Sequence, residues 1–345
     1  MSSIYGENFK VSIFGQSHSE SIGMTLDGIP AGVEIDFAEL EEFMKRRAPG
    51  SSEITTSRKE ADKVRFVSGL VGNMTCGAPL TALIDNLDTK PEDYDYIKDV
   101  PRPGHADYTA YMKYGEHRDY SGGGHLSGRL TAPICVAGGI LLQILKQNDI
   151  KINTKIASIG NINFSDIEKK DFTKEIFDEI RQAKEQGDSV GGIIECIVTG
   201  VPAGLGEPIF GGLENKISSA IFAIPAVKGI EFGSGFSGTH LRGSQNNDEF
   251  YIDDENDGKI KTTTNNSGGI LGGISSGMSI LFRVAIKPTP SISKEQGSVN
   301  IKKMKNDVIS VGGRHDPCIV PRALPCVEAA CAMAIYDAWI GSRKY

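Results

Sequence analysis

Two six-residue stretches determine which fold the sequence predicts: Asp27-Gly28-Ile29-Pro30-Ala31-Gly32 and Thr199-Gly200-Val201-Pro202-Ala203-Gly204. Each follows a predicted strand, and the copies are 172 residues apart, close to half of the 345-residue chain. Unless the match is due to chance, a repeat at this separation predicts two related units that share one core. We therefore expect a single domain over residues 1–345 with a possible internal duplication, whose halves lie near residues 1–172 and 173–345.

The segments around these stretches show the patterns of strands and amphipathic helices. Strands are predicted at residues 9–14, 23–26, 193–198 and 280–286. Helices are predicted from a cap at Asp36 to a stop at Pro49-Gly50, over residues 172–183 before Gly187, and over residues 327–340. No strand leads through GxGxxG into a helix, so the sequence does not predict a doubly wound nucleotide-binding fold. The expected fold class is α+β, a duplicated unit with largely antiparallel sheets packed on helices.

The composition is that of a globular protein with an excess of acidic residues. Hydrophobic residues make up 39% of the chain and charged residues 23%, and the formal net charge is −7. A nucleic-acid surface needs a basic stripe, so we expect no nucleic-acid partner. The N-terminus lacks the apolar run of a signal peptide, and the longest apolar segment, residues 130–145, is shorter than the ~18 residues of a membrane span. We expect a cytoplasmic protein without a membrane partner.

Six cysteines lie at positions 76, 135, 196, 318, 326 and 331, without any CxxC spacing. In a cytoplasmic chain of this length, buried reduced thiols are the expected state. Cysteines and histidines also lack the spacing of a metal site, so we expect no metal. Neither a GxSxG motif nor a Ser/His/Asp pattern indicates a hydrolase.

Two histidines lie in turns that could face a cleft. His18 follows a predicted strand in the loop Gly15-Gln16-Ser17-His18, and His105 lies three residues after Arg102 in a proline-stiffened segment. Because imidazole titrates near neutral pH, either side chain could exchange a proton with an anionic ligand. For His18 an ordinary surface turn is the alternative.

Small and cationic residues mark three candidate anion sites. Residues 122–129 (GGGHLSGR) precede the long apolar segment, so their backbone N–H groups and Arg129 could bind a phosphate or carboxylate. Close packing of these glycines is the alternative. Residues 287–291 (KPTPS) bring an ammonium and hydroxyls to a strand exit. Arg314 and Asp316 would face the same side of an extended chain, either around a ligand or as a salt bridge.

Taken together and in this order, the segments resemble the chorismate synthase family over essentially the whole chain. Three motifs carry the resemblance: residues 15–18 (GQSH) with 27–30 (DGIP), residues 122–129 with Thr131, and residues 314–318 (RHDPC) with Glu328. Supporting segments are 47–50 (RAPG), 102–109 (RPGHADYT), 226–229 (AVKG), 268–277 and 287–289 (KPT).

The resemblance implies a redox-neutral 1,4-elimination of phosphate from 5-enolpyruvylshikimate 3-phosphate, which gives chorismate and requires reduced FMN. It implies that His105 settles the protonation of the reduced flavin, that His18 donates a proton to the departing phosphate, and that Asp316 assists proton removal through the flavin N5. It assigns substrate contacts to Ser17, Arg47, Arg102, Arg129 and Arg314. It assigns flavin contacts to His125, Ser127, Ala226, Gly272, Lys287, Pro288, Thr289, Pro290, Ser291 and Arg314.

Two phosphates and two carboxylates in one cavity require clustered cations, because unpaired buried charge costs several kcal/mol. The predicted arginines and Lys287 would provide these cations in an otherwise acidic chain. The resemblance further implies a homotetramer at the last step of the shikimate pathway, which supplies aromatic amino-acid biosynthesis. The chain departs from residues common in the family at Gln16, Ser19, Glu53, His125, Leu126, Gly128 and Pro225.

Two other functions remain open from the sequence. An NAD(P)H-dependent flavin oxidoreductase would bind FMN but would consume a reductant in every turnover. A phosphosugar-binding module would bind its ligand without releasing phosphate. Whether the chain reduces its own FMN with NADPH is also open.

Overall fold

The structure, a computed structural model, describes residues 3–48, 62–87, 95–164, 169–254, 258–312 and 315–342. Its strands are β1 Ile4–Tyr5, β2 Lys10–Gly15, β3 Ser21–Asp27, β4 Val64–Ser68, β5 Leu70–Val71, β6 Met74–Thr75, β7 Leu80–Asp85, β8 Lys151–Ile159, β9 Ile162–Asn163, β10 Gly192–Thr199, β11 Val227–Phe232, β12 Phe250–Asp253, β13 Lys259–Thr262, β14 Ile270–Leu271, β15 Ile274–Ser275, β16 Ile280–Ile286, β17 Gln296–Asn300 and β18 Lys305–Ile309. Its helices are α1 Phe37–Arg47, α2 Asp107–Tyr114, α3 Thr131–Lys146, α4 Lys169–Glu185, α5 Leu213–Ile221, α6 Gly243–Asn246 and α7 Val320–Ser342.

Two five-stranded sheets form the framework, with the strand orders β1-β2-β3-β7-β4 and β11-β16-β10-β8-β9. Within the described residues the paired strands are antiparallel. Alternate residues of the central strands are buried, such as Leu80, Ala82 and Ile84 in β7 and Ile280 and Phe282 in β16. This period of two turns one face of each sheet toward the helices. The predicted α+β class with antiparallel sheets on helices is confirmed.

Helices α3 and α7 lie side by side in the core. Helix α3 also packs on β3 and α1, and helix α7 packs on β8 and α5. The two helices can approach closely because Gly138 faces Ala329, where a Cβ at position 138 would lie 2.6 Å from the Ala329 carbonyl oxygen. Apolar residues from both sheets and both helices belong to one core cluster, so the chain folds around a shared core.

Two helical segments, Gly128–Lys146 and Val320–Ser342, are long and apolar enough to cross a membrane by length and composition alone. The most apolar stretches of these two segments are 89% and 83% buried inside the protein, as is typical of core helices. We predicted that residues 130–145 form the longest apolar segment. This prediction was wrong, because helix α7 begins at Val320 rather than at residue 327 and its apolar segment is therefore the longer of the two. Helix α7 accommodates Pro325 in its second turn, where core packing compensates for one missing hydrogen bond.

The other predicted elements are present with small shifts at their ends. The four predicted strands correspond to β2, β3, β10 and β16. Asp36 caps α1 by accepting hydrogen bonds from the backbone N of Ala38 at 2.9 Å and of Glu39 at 3.0 Å. The predicted stop at Pro49-Gly50 lies outside the described residues. All six cysteines are free, and five are buried as predicted, whereas Cys76 is exposed.

The two similar stretches occupy matching positions, one after β3 and the other after β10. In the first, Thr75 Oγ1 donates to the Pro30 carbonyl at 2.6 Å. In the second, Ser275 Oγ donates to the Pro202 carbonyl at the same distance, 2.6 Å. Both donors lie at the end of a short hairpin, β5–β6 or β14–β15, and the next strand along the chain, β7 or β16, pairs with the strand that precedes the stretch, β3 or β10. The two stretches therefore make the same contact in two parts of the chain.

Further bonds match in the same way. Val33 N donates to Thr75 Oγ1 at 2.9 Å, and Leu205 N donates to Ser275 Oγ at 2.8 Å. The strand order β2-β3-β7-β4 corresponds to β8-β10-β16-β11. These correspondences support the predicted duplication, which stays a prediction. They would place the boundary before β8, because residue 172 lies inside α4.

Candidate active site

A cavity of about 840 Å³ lies where the beginnings of α3 and α7 meet the chain that leaves β16. Its volume falls within the ~300–1,000 Å³ of small-molecule sites. The sequence-predicted site residues that line it are Arg47, Arg102, His105, His125, Ser127, Arg129, Ala226, Lys287, Thr289, Pro290, Ser291 and Asp316. The structure thus brings together residues from segments that are up to 269 positions apart in the chain.

Ser17, His18, Gly272 and Pro288 do not line this cavity, and Arg314 and Glu53 lie outside the described residues. Pro288 is exposed at the strand exit. Gly272 lies in the turn between β14 and β15 with a φ of 61°, and no atom lies within 4 Å of the position that a Cβ would take. Within one chain, the structure therefore does not bring Gly272 to the other predicted flavin contacts.

Three glycines separate the two predicted catalytic histidines. Gly122, Gly123 and Gly124 have φ angles of 58°, 86° and 54°, which favour glycine. A Cβ on Gly122 would lie 2.7 Å from His18 Nδ1, and a Cβ on Gly123 would lie 3.1 Å from His105 Cε1. His18 therefore lies behind Gly122, which itself lines the cavity. Close packing, the alternative interpretation of this glycine run, describes residues 122–124 better than an open anion cradle.

Arg102, His105 and Asp107 form a hydrogen-bonded group at the start of α2. Asp107 accepts from Arg102 Nε at 2.7 Å and from Arg102 Nη2 at 2.8 Å, and its Oδ1 lies 2.7 Å from His105 Nδ1. His105 Nδ1 also lies 3.1 Å from Arg102 Nη2, which can only donate. The contact with the Asp107 carboxylate, which can only accept, is shorter and favours a proton on Nδ1, which leaves Nε2 beside Gly123 at the cavity. Burial would raise the pKa of Asp107, but hydrogen bonds from Arg102 and His105 hold it well below its usual range.

Arg47 and Arg129 share the carboxylate of Asp62. Arg47 Nε donates to Asp62 Oδ2 at 2.9 Å, and Arg129 Nη1 donates to Oδ1. All three side chains are buried. Burial would raise the pKa of Asp62, but the two guanidinium groups lower it. Asp62 was not predicted from the sequence, because it is one of several charged residues in its segment and no local pattern distinguishes it.

Asp316 is paired with Arg322 in the first turn of α7. Arg322 Nη1 donates to Asp316 Oδ2, and Arg322 Nε donates to the Arg47 carbonyl at 2.9 Å. The sequence offered Arg314 as the partner of Asp316. Arg322 was not predicted from the sequence, although a cationic residue at the start of an apolar helix could have indicated it as a site residue. Its guanidinium connects the predicted catalytic carboxylate to the segment that carries Arg47.

The exit of β16 is held by bonds to two other loops. Lys287 N donates to the Ala226 carbonyl at 3.0 Å, and Lys287 Nζ donates to the Gly104 carbonyl. Ala226 has a φ of 75°, an unfavourable value for a residue with a Cβ. Burial, and then repulsion from Lys228, lowers the pKa of Lys287. Two ammonium groups close enough to repel each other indicate a site suited to an anion.

Hydroxyl groups continue this wall of the cavity. Ser291 Oγ accepts from Arg102 Nη1 at 3.1 Å. Thr289 Oγ1 is buried and has no hydrogen-bond partner within the described part of the chain. A buried hydroxyl without a partner is costly, so this group is available to a bound ligand.

His125 connects two backbone segments at the cavity edge. Its Nδ1 lies 2.7 Å from the Gly15 carbonyl and its Nε2 lies 2.9 Å from Ser3 Oγ. Since a carbonyl only accepts, Nδ1 is the donor and Nε2 of the neutral ring accepts from the serine hydroxyl. Both ring nitrogens are thus used within the protein, so only the ring carbons of His125 remain for a ligand.

Positive charge exceeds negative charge around the cavity. Among the described residues, the cationic side chains that line it are Arg47, Arg102, Arg129, Lys287 and Arg322. The carboxylates that contact them are Asp62, Asp107 and Asp316. Five cations against three carboxylates leave a cavity suited to anionic ligands, although the whole chain carries a net charge of −7.

Comparison with known proteins identifies the family to which the chain belongs. The family model described as chorismate synthase matches residues 9–340. Chorismate synthase of Dehalococcoides mccartyi is 44% identical over 353 residues, covering 98% of this chain and 96% of that protein, and chorismate synthase of Lancefieldella parvula is 45% identical with the same coverage. A crystal structure of chorismate synthase superposes with a TM-score of 0.76 at 26% identity, covering 98% of this chain and 93% of the other. The chain belongs to the chorismate synthase family.

Proposed function

We propose that the chain is a carbon–oxygen lyase that eliminates phosphate from 5-enolpyruvylshikimate 3-phosphate to give chorismate. This reaction is the last step of the shikimate pathway and serves aromatic amino-acid biosynthesis. The observation that carries the proposal is a cavity lined by buried arginines and by His105, with His18 behind Gly122 at its wall. The substrate has one phosphate and two carboxylates, which match the excess of cationic side chains.

Arg47, Arg102 and Arg129 are proposed to bind the anionic groups of the substrate. Each guanidinium is already held by a carboxylate, through Asp62 or Asp107. Arg47 Nε and Arg102 Nε donate at 2.9 Å and 2.7 Å, distances typical of charge-assisted hydrogen bonds. A side chain that is fixed before binding loses little conformational freedom on binding. Arg314 and Ser17 are retained as further substrate contacts.

His105 is proposed to settle the protonation of the flavin through Nε2, because Nδ1 is bound to Asp107. His18 is proposed to donate a proton to the departing phosphate, which would require the phosphate to reach the histidine past Gly122. Asp316, held by Arg322, is proposed to accept a proton at its carboxylate during removal of the substrate hydrogen.

The residues around the exit of β16 fit a reduced FMN. Lys287, with Lys228 close enough to repel it, would hold the phosphate. The Thr289 hydroxyl, which has no hydrogen-bond partner among the described residues, would gain a hydrogen bond. Other proposed contacts are His125, Ser127, Ala226, Gly272, Pro288, Pro290, Ser291 and Arg314. When bound, reduced FMN would supply an electron-rich ring beside the substrate.

We further propose a homotetramer in the cytoplasm. Large apolar side chains are exposed in the single chain, among them Phe210 at 90%, Phe236 at 79% and Ile209 at 75%. The hairpin β12–β13 adds exposed Phe250 and Ile260. Exposed apolar groups of this size suit contacts with further copies of the chain.

The test is an anaerobic assay of phosphate release from 5-enolpyruvylshikimate 3-phosphate. A catalytic amount of pre-reduced FMN should support many turnovers, because the elimination conserves electrons. An NAD(P)H-dependent flavin oxidoreductase would instead consume NADPH in proportion to product. Equal phosphate release with oxidised FMN and no reductant would contradict the proposal.

A further inference from the structure

Two buried thiols face each other between the core helices. Cys135 of α3 and Cys326 of α7 have their Sγ atoms 3.7 Å apart, and both are free. One turn further along each helix, Gly138 faces Ala329, where the two backbones lie close together. The pair therefore lies at a place where the helices are held tightly together.

Only one member of this pair borders the cavity. Cys326 lines it, whereas Cys135 does not. Cys326 Sγ lies 3.4 Å from the Arg322 carbonyl oxygen. The hydrogen bond from Cys135, together with the charges of Arg47 and Arg322, outweighs the opposing effect of burial and lowers the pKa of Cys326 to about 7. Cationic surroundings favour the thiolate, which is the reactive form of cysteine.

A second buried pair provides a natural comparison. Cys196 of β10 and Cys331 of α7 interact side chain to side chain, and both are completely buried. Neither lines the cavity. Burial, and then the interaction with the partner thiol, raises the pKa of Cys196 well above its usual value, as it does for Cys135 in the first pair. The two pairs share a helix and differ in access to the cavity and in nearby cations.

We propose that Cys326 is an oxidation site reached through the cavity, with Cys135 as the thiol that resolves it into a disulfide. The oxidant is hydrogen peroxide. The Cys326 thiolate attacks one peroxide oxygen, the O–O bond breaks, and the products are a sulfenic acid and hydroxide. The Cys135 sulfur then displaces the sulfenic oxygen, which leaves as water. In total, two thiols and one peroxide give one disulfide and two waters.

The geometry allows this second step with a small movement. A disulfide needs an S–S distance of about 2.05 Å, so the sulfurs must approach from 3.7 Å mainly by side-chain rotation. Cys135 stays on α3 and Cys326 stays on α7, and these two helices pack against each other. The family resemblance assigns no role to either cysteine, so this site is separate from the proposed elimination.

The experiment uses the folded full-length protein with hydrogen peroxide in slight excess, followed by thiol blocking, denaturation, digestion and peptide mass spectrometry. The Cys135–Cys326 disulfide should form at least about tenfold faster than the Cys196–Cys331 disulfide. A denatured sample, in which both pairs are accessible, is the control for detection of either bridge.

Two variants identify the order of events. In Cys135→Ser, which should keep the activity of the unoxidised protein, Cys326 should stop at the sulfenic acid and react with dimedone. In Cys326→Ser, Cys135 should remain unmodified. Equal oxidation of the two pairs in the folded wild-type protein, or no bridge between Cys135 and Cys326, would overturn the proposal. Dimedone labelling of Cys135 in Cys326→Ser would overturn the assigned roles.

Discussion

At the scale of single residues, carboxylates hold the cationic groups of the cavity in position. Asp62 joins Arg47 to Arg129, and Asp107 joins Arg102 to His105. Each carboxylate neutralises part of the buried charge and fixes the direction of the donors that remain. Such fixed donors are already oriented when an anion binds, which is the arrangement that favours electrostatic stabilisation of a transition state.

Asp107→Asn tests whether this carboxylate positions His105. The amide would weaken the contact with His105 Nδ1 that orients the imidazole. We therefore expect kcat for phosphate release to fall by about 10- to 100-fold. Loss of a general acid or base itself typically costs more, ~10²–10⁴-fold. The shape of the pH–rate profile should change as well. Asp188→Asn, which breaks a surface pair with Lys294, is the control and should change neither. A wild-type pH profile in Asp107→Asn would argue against positioning.

Gly122→Ala tests the close contact with His18. The new Cβ would meet the imidazole, 2.7 Å from Nδ1, and displacement of a reacting group by about 1 Å can cost about 10²-fold in rate. Gly115→Ala is a matched control, because Gly115 has a similar φ of 60° but no atom within 4 Å of its Cβ position. Measurement of kcat for both variants separates the contact from backbone strain. Equal losses in the two variants would mean that strain alone is responsible.

At the scale of elements, the pair α3–α7 determines the geometry of the site. Both helices begin at the cavity, where α3 follows Arg129 and α7 carries Arg322 in its first turn. Their close packing sets the separation of these two cations. The same contact brings Cys135 to Cys326. A change in the spacing of the helices would therefore alter the anion site and the thiol pair together.

Gly138→Ala should destabilise this contact. Its Cβ would overlap the Ala329 backbone, and overpacking typically costs about 1–3 kcal/mol, against a gain of about 1 kcal/mol in helix propensity. Gly139→Ala has the same gain in propensity but meets the flexible ends of the Leu40 and Phe43 side chains, so it should cost less. Urea unfolding of both variants gives the comparison. A Gly138→Ala protein as stable as Gly139→Ala would show that the helices can separate without cost.

At the scale of the whole molecule, an acidic chain encloses a cationic cavity. The net charge of the chain is −7, whereas cationic side chains exceed carboxylates around the cavity among the described residues. Among the stabilising groups, Asp62 and Asp107 are buried carboxylates whose pKa values lie below normal, because nearby cations outweigh the effect of burial.

Acid should destabilise the fold through these two carboxylates. Each of these carboxyls has a lower pKa in the folded than in the unfolded protein. It therefore stabilises the fold at pH values above its unfolded pKa, near 3.8, and this contribution is lost as the pH falls below that pKa. The urea midpoint should therefore decrease between about pH 4 and pH 2. Asp107→Asn should start from a lower midpoint and decrease less over this range. An equally steep decrease in the variant would assign the acid sensitivity to other carboxyls.

Local sequence patterns were sufficient for the strands β2, β3, β10 and β16, for the helices α1, α4 and α7, and for the residue types of the site. Alternation predicted the central strands, and the Asp36 cap predicted the start of α1, because neighbours in sequence determine both. The start of α7 was missed, since Pro325 suggests a boundary when core packing is unknown. The cationic and histidine motifs were recognisable as separate segments, and most of their members line one cavity.

The sequence by itself determined the family, the fold class and the segments that carry charge and titratable groups. Only the tertiary structure decided the partners: Asp62 for Arg47 and Arg129, Arg322 for Asp316, and Cys135 for Cys326. Periodicity and caps act over a few residues, whereas these partners come from segments joined only when α3 and α7 pack against each other. Because buried charges require partners at hydrogen-bond distance, packing of the core fixes which carboxylate each arginine contacts.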